Sequence, residues 1–399
     1  MSGEPTMPKE AWIVPLLEDW RARGLERRLN ILPRAGGKFP AAGREVLNFA
    51  SNDYLDLAHD PHVQGRASEA MARFGSGSAA SRLMAGTLEC HAELEAALAS
   101  WQSFPAALVF GSGCLANLGT LAVLLGRDDV AFVDRLAHAT ILDGVALSRA
   151  RLRRFQHNDP DHLGRLLAQA AATRRPRGRF LVATESVFSM DGDLAPLAAL
   201  AEAADRYEAM LLVDEAHALG VFGPRGAGLV AAAGLGQRVN VQIGTLSKAL
   251  ASYGGFACCS ATVRELLIQR SRQFIYTTAL PPASAAAALA ALEIVCRRPE
   301  LGPTLLARAE SFRRELQGAG LRVMPSAGQI VPLLVGDSAK AVRLSERLKA
   351  EGILAPAIRE PTVPRGTARL RLSVTLAHGE DDLRRAAVAV ANAVAAESG

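Results

Sequence analysis

From residue 51 to about residue 282, short β-like runs alternate with longer helical segments, and this alternation constrains the fold more than any other feature. The runs read as strands are Ala107–Phe110, Val130–Val133, Phe180–Thr184, Met210–Val213, Val241–Ile243 and Gly255–Cys258. Their spacing leaves room for crossover helices, so the expected architecture is α/β with a mostly parallel sheet. Residues 1–50 read as an amphipathic helix (Trp12, Leu16, Leu17 and Trp20 at helical spacing), a Gly/Pro-containing arm and a strand from Val46 to Ala50. Beyond Pro281 and Pro282 the pattern changes to an Ala-rich helix, strand-like runs at Ile330–Val335 and Arg369–Val374 with an amphipathic helix between them, and a closing helix. The predicted division is therefore an N-terminal helix and arm (1–50), a large α/β domain (51–282) and a smaller C-terminal α+β domain (283–399).

Composition narrows the class further. With 399 residues, 49% hydrophobic and 21% charged, the chain has enough apolar mass for a large core and does not read as disordered or collagen-like. Its most apolar stretch, Ala279–Cys296, is interrupted by Pro281 and Pro282 and built mainly of alanine, which predicts a buried helix rather than a bilayer span. The first residues are polar, and Glu18 and Asp19 interrupt the Trp12–Trp20 turn, so neither a signal peptide nor a membrane association is expected; the implied location is cytoplasmic. Cys90, Cys114, Cys258, Cys259 and Cys296 form an odd set without CxxC spacing, which suits structural thiols in a reducing compartment and predicts no metal site. The net charge of +5 owes much to arginine clusters at 149–154 and 174–179. Such runs are usually solvated faces, or they steer an anionic substrate toward a cleft, and no nucleic-acid-binding motif accompanies them.

Three segments carry chemistry. Gly111-Ser112-Gly113-Cys114-Leu115-Ala116 follows a predicted strand and opens a helix, where glycine lets the backbone approach a phosphate and the helix N-terminus favours its charge. The spacing also fits a dinucleotide fold, with Asp134 about 20 residues on as a ribose-binding acid. Val213-Asp214-Glu215-Ala216-His217 places a carboxylate at the C-terminal end of a strand, which in an open α/β sheet faces the ligand crevice. A buried Asp there can bind a protonated ring nitrogen, whereas a helix cap and a satisfied histidine are the plainer reading. The letters DEAH match a helicase motif, but no GxxxxGK[ST] loop is present. Thr245-Leu246-Ser247-Lys248 sets a lysine among small and apolar neighbours, where desolvation lowers its pKa and frees an amine for Schiff-base chemistry. A dehydrogenase needs only the first of these segments; pyridoxal 5′-phosphate needs all three, as anchor, ring-nitrogen partner and aldehyde-capturing amine.

In this order, Gly113, Asp214 and Lys248 resemble the fold-type I pyridoxal-phosphate enzymes, and the match narrows to the α-oxoamine synthases. It covers nearly the whole chain: SNDYL from Ser51, GSG and then ASRLMAG after Gly75, DRLAHATILDG from Asp134, LRRFQHND from Leu152, VFSMDGD from Val187, VDEAHALG from Val213, TLSKALASYGG from Thr245, and IREPTVPRGTARLRLSVTLAH from Ile358. The last and LRRFQHND are similar to the branch that joins L-alanine to a pimeloyl thioester, carried by coenzyme A or acyl carrier protein, in biotin biosynthesis. The resemblance implies an aminotransferase-like large domain and a homodimer. It makes Lys248 the Schiff-base lysine, Asp214 the pyridinium partner and His138 the residue stacked on the cofactor ring and a donor to the developing oxyanion. Gly113, Cys114 and Thr245 would serve the phosphate, and Ser189 and His217 the phenolic oxygen. Arg371 and Asn52 would hold the amino-acid carboxylate, and Arg27 and Thr362 the acyl substrate. Cys114, Asp56, Ala79 and Ala80 depart from the family pattern, Asp56 and the two alanines standing where glycine is usual. Ser81 stands where 5-aminolevulinate synthases have threonine, which favours alanine over glycine as substrate. The alternatives are a sister synthase using glycine and another acyl-CoA (2-amino-3-ketobutyrate ligase or 5-aminolevulinate synthase), a dehydrogenase, and a non-catalytic subunit, which would be expected to lack Lys248.

Overall fold

A computed structural model describes residues 8–41, 43–173 and 178–397; most of the arginine cluster at 174–179 lies outside the described residues. The strands are β1 (Lys38–Ala41), β2 (Arg44–Asn48), β3 (Ala106–Phe110), β4 (Val130–Asp134), β5 (Arg151–Phe155), β6 (Phe180–Glu185), β7 (Met210–Asp214), β8 (Val241–Thr245), β9 (Gly255–Cys259), β10 (Ile330–Gly336), β11 (Ile353–Leu354), β12 (Ala357–Ile358) and β13 (Ala368–Ser373). A seven-stranded sheet in the order β3-β9-β8-β7-β6-β4-β5 forms the centre. Its strands run parallel except β9, which is antiparallel to β3 and β8. The loop 246–254 returns the chain directly beside β8, so no crossover helix is needed there.

Every residue of β4, β6, β8 and β9 is buried, as expected for strands covered on both faces. Leu108, Phe110, Leu121, Val133 and Ile141 belong to one cluster against the sheet, and Phe132, Phe155, Leu163, Phe180 and Val213 to another. The edge strand β5 is different: Arg151, Leu152 and Arg154 are exposed. Sequence periodicity did not mark it as a strand, because its conformation comes from pairing with β4 rather than from apolar patterning.

The smaller sheet runs β10-β13-β12, all antiparallel. The N-terminal arm joins this end of the molecule, since β2 pairs with β1 and, in parallel, with β11, Leu47 opposite Ile353. The Ala-rich helix Pro282–Arg297 is buried along Ala285–Ala288, Ala290 and Ala291, and its small side chains let the helix Pro61–Phe74 pack closely on it. Among the described residues no helix is long and apolar enough to cross a membrane. Helix Ile13–Ala22 forms as predicted, yet Trp12 remains 69% exposed and Leu16 46%, so its apolar stripe is not covered by this chain.

Two of the departures have a backbone explanation. Asp56 adopts φ 58° and Ala79 φ 54°, left-handed conformations in which glycine avoids a Cβ clash. Aspartate tolerates that region better than alanine does.

Candidate active site

The C-terminal ends of β6, β7 and β8 deliver Glu185, Asp214 and Thr245 to one cavity of about 220 Å3, with Glu185 directly opposite Asp214 in the strand register. Gly113, Cys114, Asn117, His138, His217 and Lys248 also line it. This is the crevice that an open α/β sheet offers a ligand.

Lys248 lies just past β8 with its Nζ 2.7 Å from His217 Nε2, and His217 Nδ1 is 2.7 Å from the Tyr54 hydroxyl. The proton positions follow from the network. Asn52 Oδ1 accepts from both terminal nitrogens of Arg371, so the Tyr54 hydroxyl donates to it at 3.2 Å, and His217 Nδ1–H donates to Tyr54. Nε2 is then left to accept from Lys248. Burial drives the His217 pKa well below the usual imidazole value, and the nearby Lys248 and Arg371 charges lower it further, so the ring is neutral. Burial likewise lowers Lys248 to about 8, although Asp214 and Glu185 favour the ammonium.

Asp214 is held on both oxygens: Asn117 Nδ2 donates to Oδ2 at 2.7 Å and the Ala216 amide to Oδ1 at 2.9 Å. His138 caps the helix Ala139–Ser148, its Nδ1 accepting from the Thr140 amide and lying 2.8 Å from Thr140 Oγ1. Desolvation lowers its pKa, opposed by Asp214. Arg371, buried on β13, donates through Nε to the Ser189 carbonyl at 2.6 Å and through Nη1 to Ser373 Oγ at 2.8 Å.

Residues 44–390 match the family described as aminotransferase class I and II. An 8-amino-7-oxononanoate synthase of Anaeromyxobacter dehalogenans (strain 2CP-1) is 48% identical over 368 residues, 92% of this chain and 91% of that one. The chain belongs to the 8-amino-7-oxononanoate synthase branch of the aminotransferase class I and II family. Among solved structures, a serine palmitoyltransferase of Sphingomonas wittichii matches with a TM-score of 0.90 at 29% identity over 99% of each chain. An 8-amino-7-oxononanoate synthase of Francisella tularensis matches with a TM-score of 0.74 at 28% identity, over 89% of this chain and 99% of that one.

The family's cofactor is pyridoxal 5′-phosphate, as in the serine palmitoyltransferase structures described as holding it. This chain's residues fit that group. At the start of helix Gly113–Leu124, Ser112 Oγ takes the Leu115 amide and the Ser112 carbonyl takes the Ala116 amide. The Gly113 and Cys114 amides have no partner among the described residues and line the cavity, the donor set a phosphate needs. Thr245 Oγ1 lies 2.7 Å from Ser247 Oγ at the same end. Gly255 must lack a side chain, since a Cβ there would stand 2.4 Å from the Gly113 nitrogen.

The predicted residues Gly113, Cys114, His138, Asp214, His217, Thr245 and Lys248 thus converge on one cavity. Ser189 and Thr362 line an adjoining cavity that shares His138, and Arg371 and Asn52 reach the first through Tyr54 and His217. Arg27 does not join them: it sits on the exposed arm, 5.9 Å over the Trp20 ring, in a segment tied down where Arg359 donates to the carbonyls of Gly24 and Glu26. Asp134 is not a ligand-facing acid. Its buried carboxylate accepts from the Leu136 and Asn158 amides and pairs with His157, which removes the support for a dinucleotide site.

Sequence reasoning missed Tyr54, Asn117 and Glu185. Asn117 stands one helical turn after Gly113, and Glu185 ends a strand as Asp214 does, so both carried a positional signal. Burial and the Asp214 charge raise the Glu185 pKa to about 8, and its Oε1 has no partner among the described residues.

Proposed function

We propose that this protein joins L-alanine to a pimeloyl thioester, releasing carbon dioxide and the thiol and forming 8-amino-7-oxononanoate. The observation that carries the reading is the Lys248–His217 pair, backed by Tyr54, in one cavity with Asp214 and the free amides of Gly113 and Cys114. When bound, pyridoxal phosphate supplies an aldehyde carbon that takes up an amine and a pyridinium ring that draws electrons from the substrate Cα.

The chain's own residues account for the remaining requirements. The Gly113 and Cys114 amides and the Thr245 hydroxyl would hold the phosphate, and Asp214, fixed by Asn117, would face the ring nitrogen. Lys248 Nζ, with a pKa near 8, gives up and regains a proton close to neutrality, which suits it to take the Cα proton of alanine. His217 Nε2 orients that nitrogen without competing for charge, because its ring stays neutral. Arg371 offers a planar fork that suits the alanine carboxylate, with Asn52 held beside it. His138 and Thr362 face the adjoining cavity, where the acyl chain binds and His138 donates to the thioester oxygen. The uncovered apolar stripe of helix Ile13–Ala22 supports assembly as a homodimer.

The test is product mass analysis of the cofactor-loaded protein given L-alanine or glycine with pimeloyl, acetyl and succinyl thioesters of coenzyme A. An alanine-dependent product of the mass of 8-amino-7-oxononanoate is expected, and Lys248→Ala should abolish turnover. A glycine-derived aminoketone instead, or multiple turnover in the lysine variant, would refute the assignment.

A further inference from the structure

Glu185 ends β6 as Asp214 ends β7, and the two are partners in the parallel register, so their side chains leave the same face of the sheet about one strand spacing (~4.8 Å) apart. Both are buried and both line the Lys248 cavity. Two carboxylates so placed are costly to ionise together, because each charge opposes the other and neither is solvated. Their donors differ. Asp214 has one on each oxygen, from Asn117 and from the Ala216 amide. The His138 and Ser189 amides hydrogen-bond to the Glu185 carboxyl, yet its Oε1 has no partner among the described residues. A buried orphan oxygen costs far less on a neutral acid than on an anion.

The cations that face this pair are engaged elsewhere. Lys248 directs Nζ to His217, and Arg371 on β13 binds the Ser189 carbonyl, Ser373 and Asn52. The remaining titratable groups on the wall are His138, His217 and Cys114; desolvation lowers both imidazoles and raises the thiol, so none supplies a positive charge for a second carboxylate. Burial and the Asp214 charge push the Glu185 pKa up to about 8 against the pull of Lys248 and the two amides.

We propose that Glu185 is a positioning residue that keeps its proton, leaving Asp214 the single negative charge toward the ring nitrogen, while the neutral carboxyl accepts the His138 and Ser189 amides and so fixes both residues around the cofactor. The inference rests on the roles proposed above for Asp214, His138 and Ser189. His138 lies beyond β4 and Ser189 beyond β6, and among the described residues neither amide has another partner. One acceptor between the two loops therefore sets both. An ionised Glu185 would instead compete with Asp214 for the ring proton and with His217 for the Lys248 ammonium.

The experiment compares wild type with Glu185→Gln, Glu185→Met and Asp214→Asn. Infrared difference spectra of wild-type and Glu185→Gln holoenzyme near pH 7 read the proton directly. A carboxylic-acid C=O band that shifts in D2O is expected in the wild type and not in the variant; a carboxylate band in its place would overturn the proposal. The dissociation constant of pyridoxal phosphate is then measured from about pH 6.5 to about pH 9.5. Glutamine keeps a neutral acceptor for the two amides, so near pH 6.5 its constant should lie within about twofold of wild type. Expulsion of water by a cofactor of net negative charge favours the protonated acid. Above about pH 8 the wild type must therefore regain a proton at Glu185 on binding, and its constant should become about tenfold weaker than that of the glutamine variant. The contribution of Lys248 is common to both. A ratio that stays constant with pH, or a tenfold loss in the glutamine variant at low pH, would overturn the proposal. Glu185→Met removes the acceptor at similar size and should weaken the cofactor about tenfold at every pH. Affinity equal to that of the glutamine variant would refute the positioning role. Should the methionine variant fail to fold, the infrared spectra and the glutamine variant still decide. Failure of the site roles would show separately, as Asp214→Asn enzyme whose lysine-bound absorbance and cofactor affinity match wild type while the infrared band persists.

Discussion

His157 is a cation shared by two carboxylates, and replacing it with asparagine tests whether that sharing holds the reaction centre in shape. Its Nδ1 lies 2.9 Å from Asp134 Oδ1 and its Nε2 2.8 Å from Asp193 Oδ2, while the Phe188 ring meets it edge-on. Burial alone would lower its pKa, but the two carboxylates prevail and hold it at about 10. A group whose folded pKa lies above its unfolded value stabilises the fold fully below pH ~6.5 and loses that stabilisation as pH rises through the folded pKa. The full shift would correspond to nearly 5 kcal/mol; because the side chain is 22% exposed and solvent screens the pair, about 2–3 kcal/mol is the reasonable magnitude. Urea denaturation of wild type and His157→Asn should therefore differ by about 2–3 kcal/mol at pH 6.5 and by less than about 1 kcal/mol at pH 10.5. The variant should also lose turnover, because the triad ties the end of β4, which leads to His138, to the segment carrying Ser189. A stability gap that stays the same at both pH values would refute the charge-sharing account.

With Lys248 at a pKa of about 8, the rate at which apoenzyme captures pyridoxal phosphate should rise with pH up to that value and level off above it, read as growth of the lysine-bound absorbance; a flat profile from pH 6.5 to 9 would contradict the assignment. Tyr54→Phe deletes the hydroxyl that fixes the His217 tautomer, so kcat should fall about tenfold while KM for the thioester holds steady. Ala79→Gly relieves a left-handed alanine and should stabilise the protein by about 1 kcal/mol in denaturant melts; Asp56→Gly, at a residue better suited to that conformation, should gain less.

The strands of the large sheet were legible because most carry their own apolar signal, and Lys248, Asp214 and His138 were legible from the segments around them. What was hidden depended on neighbours distant in sequence. β5 is arginine-rich and becomes a strand only because β4 lies beside it. β11 is two residues long and exists through its pairing with β2, far upstream in the chain. Tyr54 lies inside a recognised segment, but its role needs the contact with His217. Glu185 needs the knowledge that β6 and β7 are adjacent and in register. Arg27 shows the converse limit, since family resemblance named it while this chain alone leaves it on the exposed arm.

The hydrogen-bond partners of the two histidines of the site favour opposite tautomers. At His138 the Thr140 amide, which can only donate, points at Nδ1, so Nδ1 is the acceptor and the proton of the neutral ring resides on Nε2. At His217 the chain through Tyr54 and Asn52 to Arg371 puts the proton on Nδ1 and leaves Nε2 to accept. His217 can therefore receive a hydrogen bond from Lys248 but cannot give one through that nitrogen. His138, on the wall common to both cavities, presents an N–H to whatever gains negative charge there. Were the tautomers exchanged, Nε2–H of His217 would face the Lys248 amine and His138 would present no N–H through Nε2. The anchoring residues Thr140 and Tyr54 thus decide, at one remove from the cavities, which imidazole presents an N–H to them and which presents an acceptor.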